Sequence, residues 1–295
     1  MVGNFWIRRW FRTLPNYFLW LLIYVVMHQI RETPRPVLLS ALFSQNLYSA
    51  GDPVIGSSWS LAIEEWFYLS LPLVMFAAMR LPMSRKAASL MAIVAYIVAF
   101  TGVRGIYAYS DSQWTVGLLD SSLRKVVVCH LDAIGYGVLF SWLRFYHRES
   151  LHKLRYVLLA VGFILLYQVS VRFIHGLQSG FSEYADRVLL FSVSSLGAAC
   201  LLPAACTNSY SGRLTRPVTH LSLISYSVYL AQDAFLCFAP LSTLTRTVPS
   251  PVAILIFWGT TILIGTVNFV FFERPITRLR DHISRRETNI GEQLT

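Results

Sequence analysis

Eight stretches of this chain are apolar over nearly the length of a bilayer, and the breaks between them are short and often basic. A helix needs about 20 mostly apolar residues to cross a hydrocarbon core. The pattern therefore predicts transmembrane helices over residues 14–30, 59–79, 87–108, 126–143, 156–174, 188–206, 221–240 and 251–272. Residues 37–48 (VLLSALFSQNLY) are apolar but too short to span easily, and read as an interfacial or re-entrant piece. Neither an internal repeat nor a low-complexity segment interrupts the series. The expected fold is an all-α polytopic bundle of about eight spans over residues 1–280, with a polar tail at 281–295.

Composition agrees. Of 295 residues, 55% are hydrophobic and only 14% charged, against about 25% charged in soluble domains. A net charge of +10 could suggest nucleic acid. The basic residues instead form clusters between apolar runs, so nucleic acid is not an expected partner and the lipid bilayer is. Arg8, Arg9 and Arg12, then Arg80, Arg85 and Lys86, then Arg144, Arg148, Lys153 and Arg155, then Arg213 and Arg216, then the arginines after residue 273 all fall on one side of the predicted topology. Basic loops stay in the cytoplasm, so both termini are expected there. Cys129, Cys200, Cys206 and Cys237 lie in apolar segments and read as small buried hydrophobes. The seven histidines lack ligand spacing, and no metal is expected.

Chemistry concentrates in a few places. WSLAIEEWFYLSLPLVMF, residues 59–76, puts Glu64 and Glu65 in the first turns of a membrane-compatible helix. A charge at a helix centre costs about 2.5–3.5 kcal/mol on insertion scales, so such acids generally face protein or water and carry a task. Ser58 or Ser60 could cap this helix, and early acids complement its dipole. That structural role leaves unexplained why Glu64, Phe67 and Tyr68 share one face at i, i+3, i+4 spacing. In IRRWFRTLPNY, Arg9 and Arg12 are three apart and would point the same way, either as topology-setting charges or as a fork for phosphate. His28 lies at the end of a span. His130 and Asp132 in CHLDAIGYG sit near Gly135 and Gly137, which allow close helix approach. Tyr229, Gln232 and Asp233 form a polar triplet in an apolar run, where Asp233 needs a partner. Glu273 and Arg274 precede Pro275, which is expected to end the last helix.

Taken in order, RRWFRTLPNY, LFSQNLY, WSLAIEEWFY, ISYSVYL and FFERPITRL resemble the acyltransferase 3 family of integral membrane acyltransferases. Such proteins O-acetylate bacterial surface polysaccharides and typically have ten spans. WSL-x-x-E-x-x-FY is the most specific of the five stretches. The resemblance implies two further spans, roughly 50–80 residues, ahead of Met1, carrying an arginine and, about ten residues later, a histidine that acts as base. His28 is not that histidine, because it follows Arg9 and Arg12. His130 stands where the family often has arginine, and Gln232 where it often has histidine.

What the resemblance implies is transfer of an acyl group, expected to be acetyl, from cytosolic acyl-CoA to a hydroxyl of an exported glycan or lipid-linked sugar, in the bacterial cytoplasmic membrane. Acyl-CoA is a co-substrate and no bound cofactor is implied. Glu64 would orient the base or contact the hydroxyl. Arg9 and Arg12 would meet the CoA phosphates, and Trp59, Ser60 and Tyr68 would contact substrate. Asp132, Tyr229 and Glu273 are structural or possible site residues. The alternatives are a truncated remnant or accessory protein of the same fold, and a transporter using Asp132 and Asp233.

Overall fold

The computed structural model describes residues 2–27, 34–51, 53–109, 117, 119–175, 181–206, 212, 215–238, 243, 246 and 248–279. Those residues form ten α-helices with short 3-10 and π turns, and no strand occurs among them. The helices are α1 (Val2–Met27), α2 (Arg35–Ala41), α3 (Trp59–Ala78), α4 (Arg85–Tyr109), α5 (Val127–His130), α6 (Asp132–Tyr146), α7 (Arg148–His175), α8 (Phe181–Ala205), α9 (Thr215–Phe238) and α10 (Ser250–Asn268). The segments Gly56–Ala78, Arg85–Tyr109, Arg148–Phe173, Tyr184–Ala205 and Ser250–Leu279 are long and apolar enough to cross a membrane. The other three predicted spans fall on α1, on α5 with α6, and on α9. In α1, polar residues such as Arg12 and Asn16 dilute the apolar run, and the second of these spans is divided at Leu131 into helices of 4 and 15 residues, each too short to cross. Leu255 and Phe271 are 72% and 77% exposed. Apolar surface of that kind is a liability in water and a requirement in lipid. The protein is an all-α membrane protein.

The chain divides into two compact units. The first comprises residues 1–42, 52–58 and 211–295 and holds α1, α2, α9 and α10. Here α9 lies along α10, so closely that a Cβ on Gly265 would stand 3.0 Å from the Val228 backbone nitrogen. The second comprises residues 43–51 and 59–210, with α4 at its centre against α3, α5, α6 and α8. Helices α7 and α8 touch backbone to backbone, with the Gly162 Cβ position 2.8 Å from the Gly197 carbonyl oxygen.

Two predicted elements differ in detail. The 126–143 span is interrupted at Leu131 into α5 and α6. Its first amides are drawn aside: Val127 N–H donates to the Asn46 carbonyl at 2.9 Å and Val128 N–H to that of Leu47 at 3.3 Å. Arg104 Nη1 donates to the Cys129 carbonyl at 2.7 Å. The last helix does not stop at Pro275. It passes into a π turn, Phe269–Glu273, and continues helical to residue 279. Proline clashes with the carbonyl four residues before it and offers it no donor. The wider π turn, closed by Arg274 N–H on the Phe269 carbonyl, re-registers the ladder just ahead of it. The predicted tail, His28 and the Cys237 side chain lie outside the described residues.

The short apolar piece at 37–48 becomes α2 followed by a compact loop. Phe43 takes a left-handed backbone (φ 53°). Gly51 closes the loop against the Gln45 carbonyl, 1.8 Å from where a Cβ would stand, so only glycine fits.

Candidate functional site

In the second unit, the WSLAIEEWFY stretch forms the start of α3. Its entry is fixed by Asn46 of the LFSQNLY loop, whose Nδ2 donates to the Trp59 carbonyl at 3.1 Å and to the Lys125 carbonyl at 2.5 Å. Two turns further along, Trp66 Nε1 donates to the Phe43 carbonyl at 2.9 Å. Two of the sequence motifs are thus parts of one local device. Glu64 and Glu65 are half-buried, as are Trp59, Ser60 and Tyr68. At 1.5 Å per residue, Glu64 lies about 7–8 Å along the helix from Trp59. Phe67 is buried and packs edge-on against both Tyr68 and Tyr96, with centroids 5.5 Å apart in each pair. The Ser70 and Tyr96 hydroxyls bond at 2.7 Å. The aromatic neighbours expected around Glu64 are therefore tied to α4, which holds this turn of α3 rigid. Trp59 carries the Arg124 guanidinium 4.6 Å from a ring centroid.

Asp132 has a partner that spacing alone did not identify. Arg104 of α4 is wholly buried and bonds both carboxylate oxygens, Nη1 to Oδ1 at 2.8 Å and Nη2 to Oδ2 at 2.7 Å. Thr101 and Ser192 donate to Oδ2 at 3.1 and 2.9 Å. Arg104 Nε also donates to the Val188 carbonyl at 2.7 Å, so the pair joins α4, α5, α6 and α8. Both charges are compensated, as a low-dielectric setting requires. The available signal was a lone arginine in the apolar run FTGVRGIYAY.

In the first unit, Arg9 and Arg12 lie within α1, which starts well before the predicted span. Arg9 is half-buried and Arg12 exposed. Glu273, read from sequence as a charged helix end, is instead buried. Ser227 donates to its Oε2 at 2.6 Å and Asn16 Nδ2 to the same oxygen at 3.2 Å. Asn268 Nδ2 donates to Asn16 Oδ1 at 2.7 Å. Arg12 is close enough to act on Glu273 electrostatically. This network ties RRWFRTLPNY, ISYSVYL and FFERPITRL together.

Tyr229 and Asp233, one turn apart on α9, grip the 3-10 turn Gly56–Ser58. The Tyr229 hydroxyl donates to the Ser57 carbonyl at 2.5 Å, and Ser57 N–H donates to Asp233 Oδ2. Asp233's partner is thus a backbone amide. The Ser58 hydroxyl donates back to the Ile55 carbonyl at 2.8 Å. Among the described residues, no three His, Cys, Asp or Glu side chains gather closely enough to hold a metal ion.

Comparison with known proteins draws these stretches together. A Bacillus subtilis (strain 168) protein named "Putative peptidoglycan O-acetyltransferase YrhL" is 26% identical over 305 residues, covering 92% of this chain and 45% of that protein. The chain therefore spans about half the length of that curated relative. No solved structure matches. The family model described as "Acyltransferase domain" matches residues 1–273, a range that holds all five motif stretches up to Glu273. The chain belongs to the acyltransferase 3 family.

Proposed function

We propose that this protein is a membrane O-acyltransferase that moves an acetyl group from acyl-CoA, supplied from the cytoplasm, to a hydroxyl of a glycan outside the bacterial cytoplasmic membrane. Membership of the family and the name of the relative support the reaction class. The observation that carries the assignment is Glu64. It is a half-buried carboxylate on a membrane-compatible helix, placed by the Asn46 staple and the Phe67–Tyr96 packing.

The reaction needs a base for the hydroxyl proton, donors for the oxyanion formed on the thioester carbonyl, and positioning of both substrates. As the glycan oxygen loses its proton to the base it attacks the acyl carbon. The carbon–sulfur bond breaks and the CoA thiolate takes the proton back. Glu64 contributes by orienting and charge-stabilising a histidine base or by accepting from the attacking hydroxyl. Arg9 and Arg12 supply bidentate donors for CoA phosphates. Trp59, Ser60 and Tyr68 contact substrate.

The test is Glu64→Gln, which keeps volume and removes charge. In membranes containing the full protein, transfer of labelled acetyl groups to glycan is expected to fall about 100-fold or more, with protein yield and melting unchanged. Undiminished acetylation would end the catalytic reading of this residue.

A further inference from the structure

The second unit contains a cavity of about 560 Å³, and of its lining residues the reaction proposed above engages Trp59 alone. It sits by the entry of α3, the α5 helix and the middle of α8, away from the basic ends where α4 and α7 begin. Trp59, Phe173 and Phe191 give it aromatic walls, and Ser194 and Ser195 give it hydroxyls. Its charged residues, Asp120 and Arg124, are paired with each other. Arg124 is also stacked on Trp59, and Asp120 is further held by Lys125 at 2.6 Å.

His130 also lines this space. Its ring stands edge-on to Phe191 with centroids 5.3 Å apart. Nδ1 is shut from solvent and has no hydrogen-bond partner. A buried, unbonded nitrogen is less costly as a bare acceptor than as an unpaired N–H donor. That favours the tautomer with the proton on Nε2, free for a ligand oxygen.

We infer that this cavity, with the His130 ring, Ser194 and the Asp120–Arg124 pair converging on aromatic walls, binds one pyranose unit of a glycan. This rests on the proposed function in taking a glycan as the acceptor. The size lies within the usual range for ligand pockets of about 300–1,000 Å³, and aromatic walls with a few convergent polar groups are the usual composition. Geometry favours one ligand class. The guanidinium lining the space is already bonded to Asp120 and stacked on Trp59, so among the described lining residues no free guanidinium fork faces a phosphate. A neutral ring with hydroxyls can instead donate to the Asp120 carboxylate, accept from His130, exchange with Ser194 and lay its C–H face on the aromatic walls.

The experiment uses the full protein in lipid nanodiscs, with chitotetraose and maltotetraose as probes and saturation-transfer NMR to read binding. His130→Phe keeps the ring shape without hydrogen bonds, and Ser194→Ala removes one hydroxyl. Each is expected to weaken binding of the preferred probe about 3- to 10-fold at unchanged melting temperature. Should His130→Phe not fold, Ser194→Ala decides. It is then joined by protection of His130 from diethyl pyrocarbonate by the probe, read by peptide mass spectrometry. Wild-type affinity in the variants that fold, or absence of protection, overturns the inference. So does a protein that acetylates cell glycan yet binds neither probe, although the proposed function then stands. Probe binding that the variants weaken, in a protein that transfers no acetyl group, supports the cavity and overturns the proposed function.

Discussion

Replacing Asp132 by alanine tests how the second unit handles charge. The carboxylate accepts four hydrogen bonds: two from Arg104, at 2.8 and 2.7 Å, and one each from Thr101 and Ser192, at 3.1 and 2.9 Å. Its side chain and that of Arg104 are both fully shielded from solvent. After the substitution Arg104 keeps its bonds to the Cys129 and Val188 carbonyls and to Ser192, but no counter-charge. Removing one member of a buried pair costs about 3–5 kcal/mol. At about 2–4 °C per kcal/mol for a unit of this size, melting should fall by roughly 6–20 °C. Purified protein in detergent, followed by fluorescence-detected size exclusion after heating, reads this directly. The companion variant Arg104→Met with Asp132→Leu removes both charges and should recover most of the loss, because apolar replacement of a whole pair is often neutral. A single variant that melts within 2 °C of the parent, or a double variant as unstable as the single, refutes the argument.

Three further outcomes follow from local geometry. Gly265→Ala places a Cβ 2.5 Å from Val228 Cγ2 and 3.0 Å from its backbone nitrogen. The backbone atom cannot give way, so a loss of about 1–3 kcal/mol is expected, measured by the same melting assay. Tyr229→Phe removes the hydrogen bond to the Ser57 carbonyl, worth about 1 kcal/mol. Hydrogen exchange over residues 53–58 should quicken while α10 is unaffected. For Asp120, desolvation alone would raise the carboxyl pKa, but hydrogen bonds and charge from Lys125 and Arg124 outweigh it and hold the group below its usual range. A depressed acid stabilises the fold above the unfolded pKa, about 3.9, and loses that contribution as pH falls through the folded value. Any melting deficit of Asp120→Asn at pH 6 should therefore shrink on acidification below about pH 4, and a deficit that grows instead would reverse the sign.

Apolar run length was enough to locate the long helices, because backbone groups in lipid must be satisfied within each segment. It missed what arises from contacts distant in sequence. The break at Leu131 depends on Asn46, Leu47 and Arg104 taking backbone partners at the start of that span. Passage through Pro275 depends on a π turn, and no hydropathy pattern encodes ladder register. Gly135 does permit close approach, its Cβ position being 2.8 Å from Ile97, whereas Gly137 has nothing within 4 Å. Small size reports the possibility of contact and not its direction. For the candidate residues, the motifs gave Glu64 and the arginines a place in the chain. Arg104, Asn16 and Ser227 went unremarked, since each becomes meaningful only when helices far apart in sequence meet.

Asn46 also decides where the molecule can be engineered. One amide side chain fastens the loop to carbonyls 13 and 79 residues away. Any reporter, epitope or protease site spliced into residues 43–51 would unseat both attachments at once. The solvent-facing turn at 81–84, whose side chains are all exposed, offers a safer splice point.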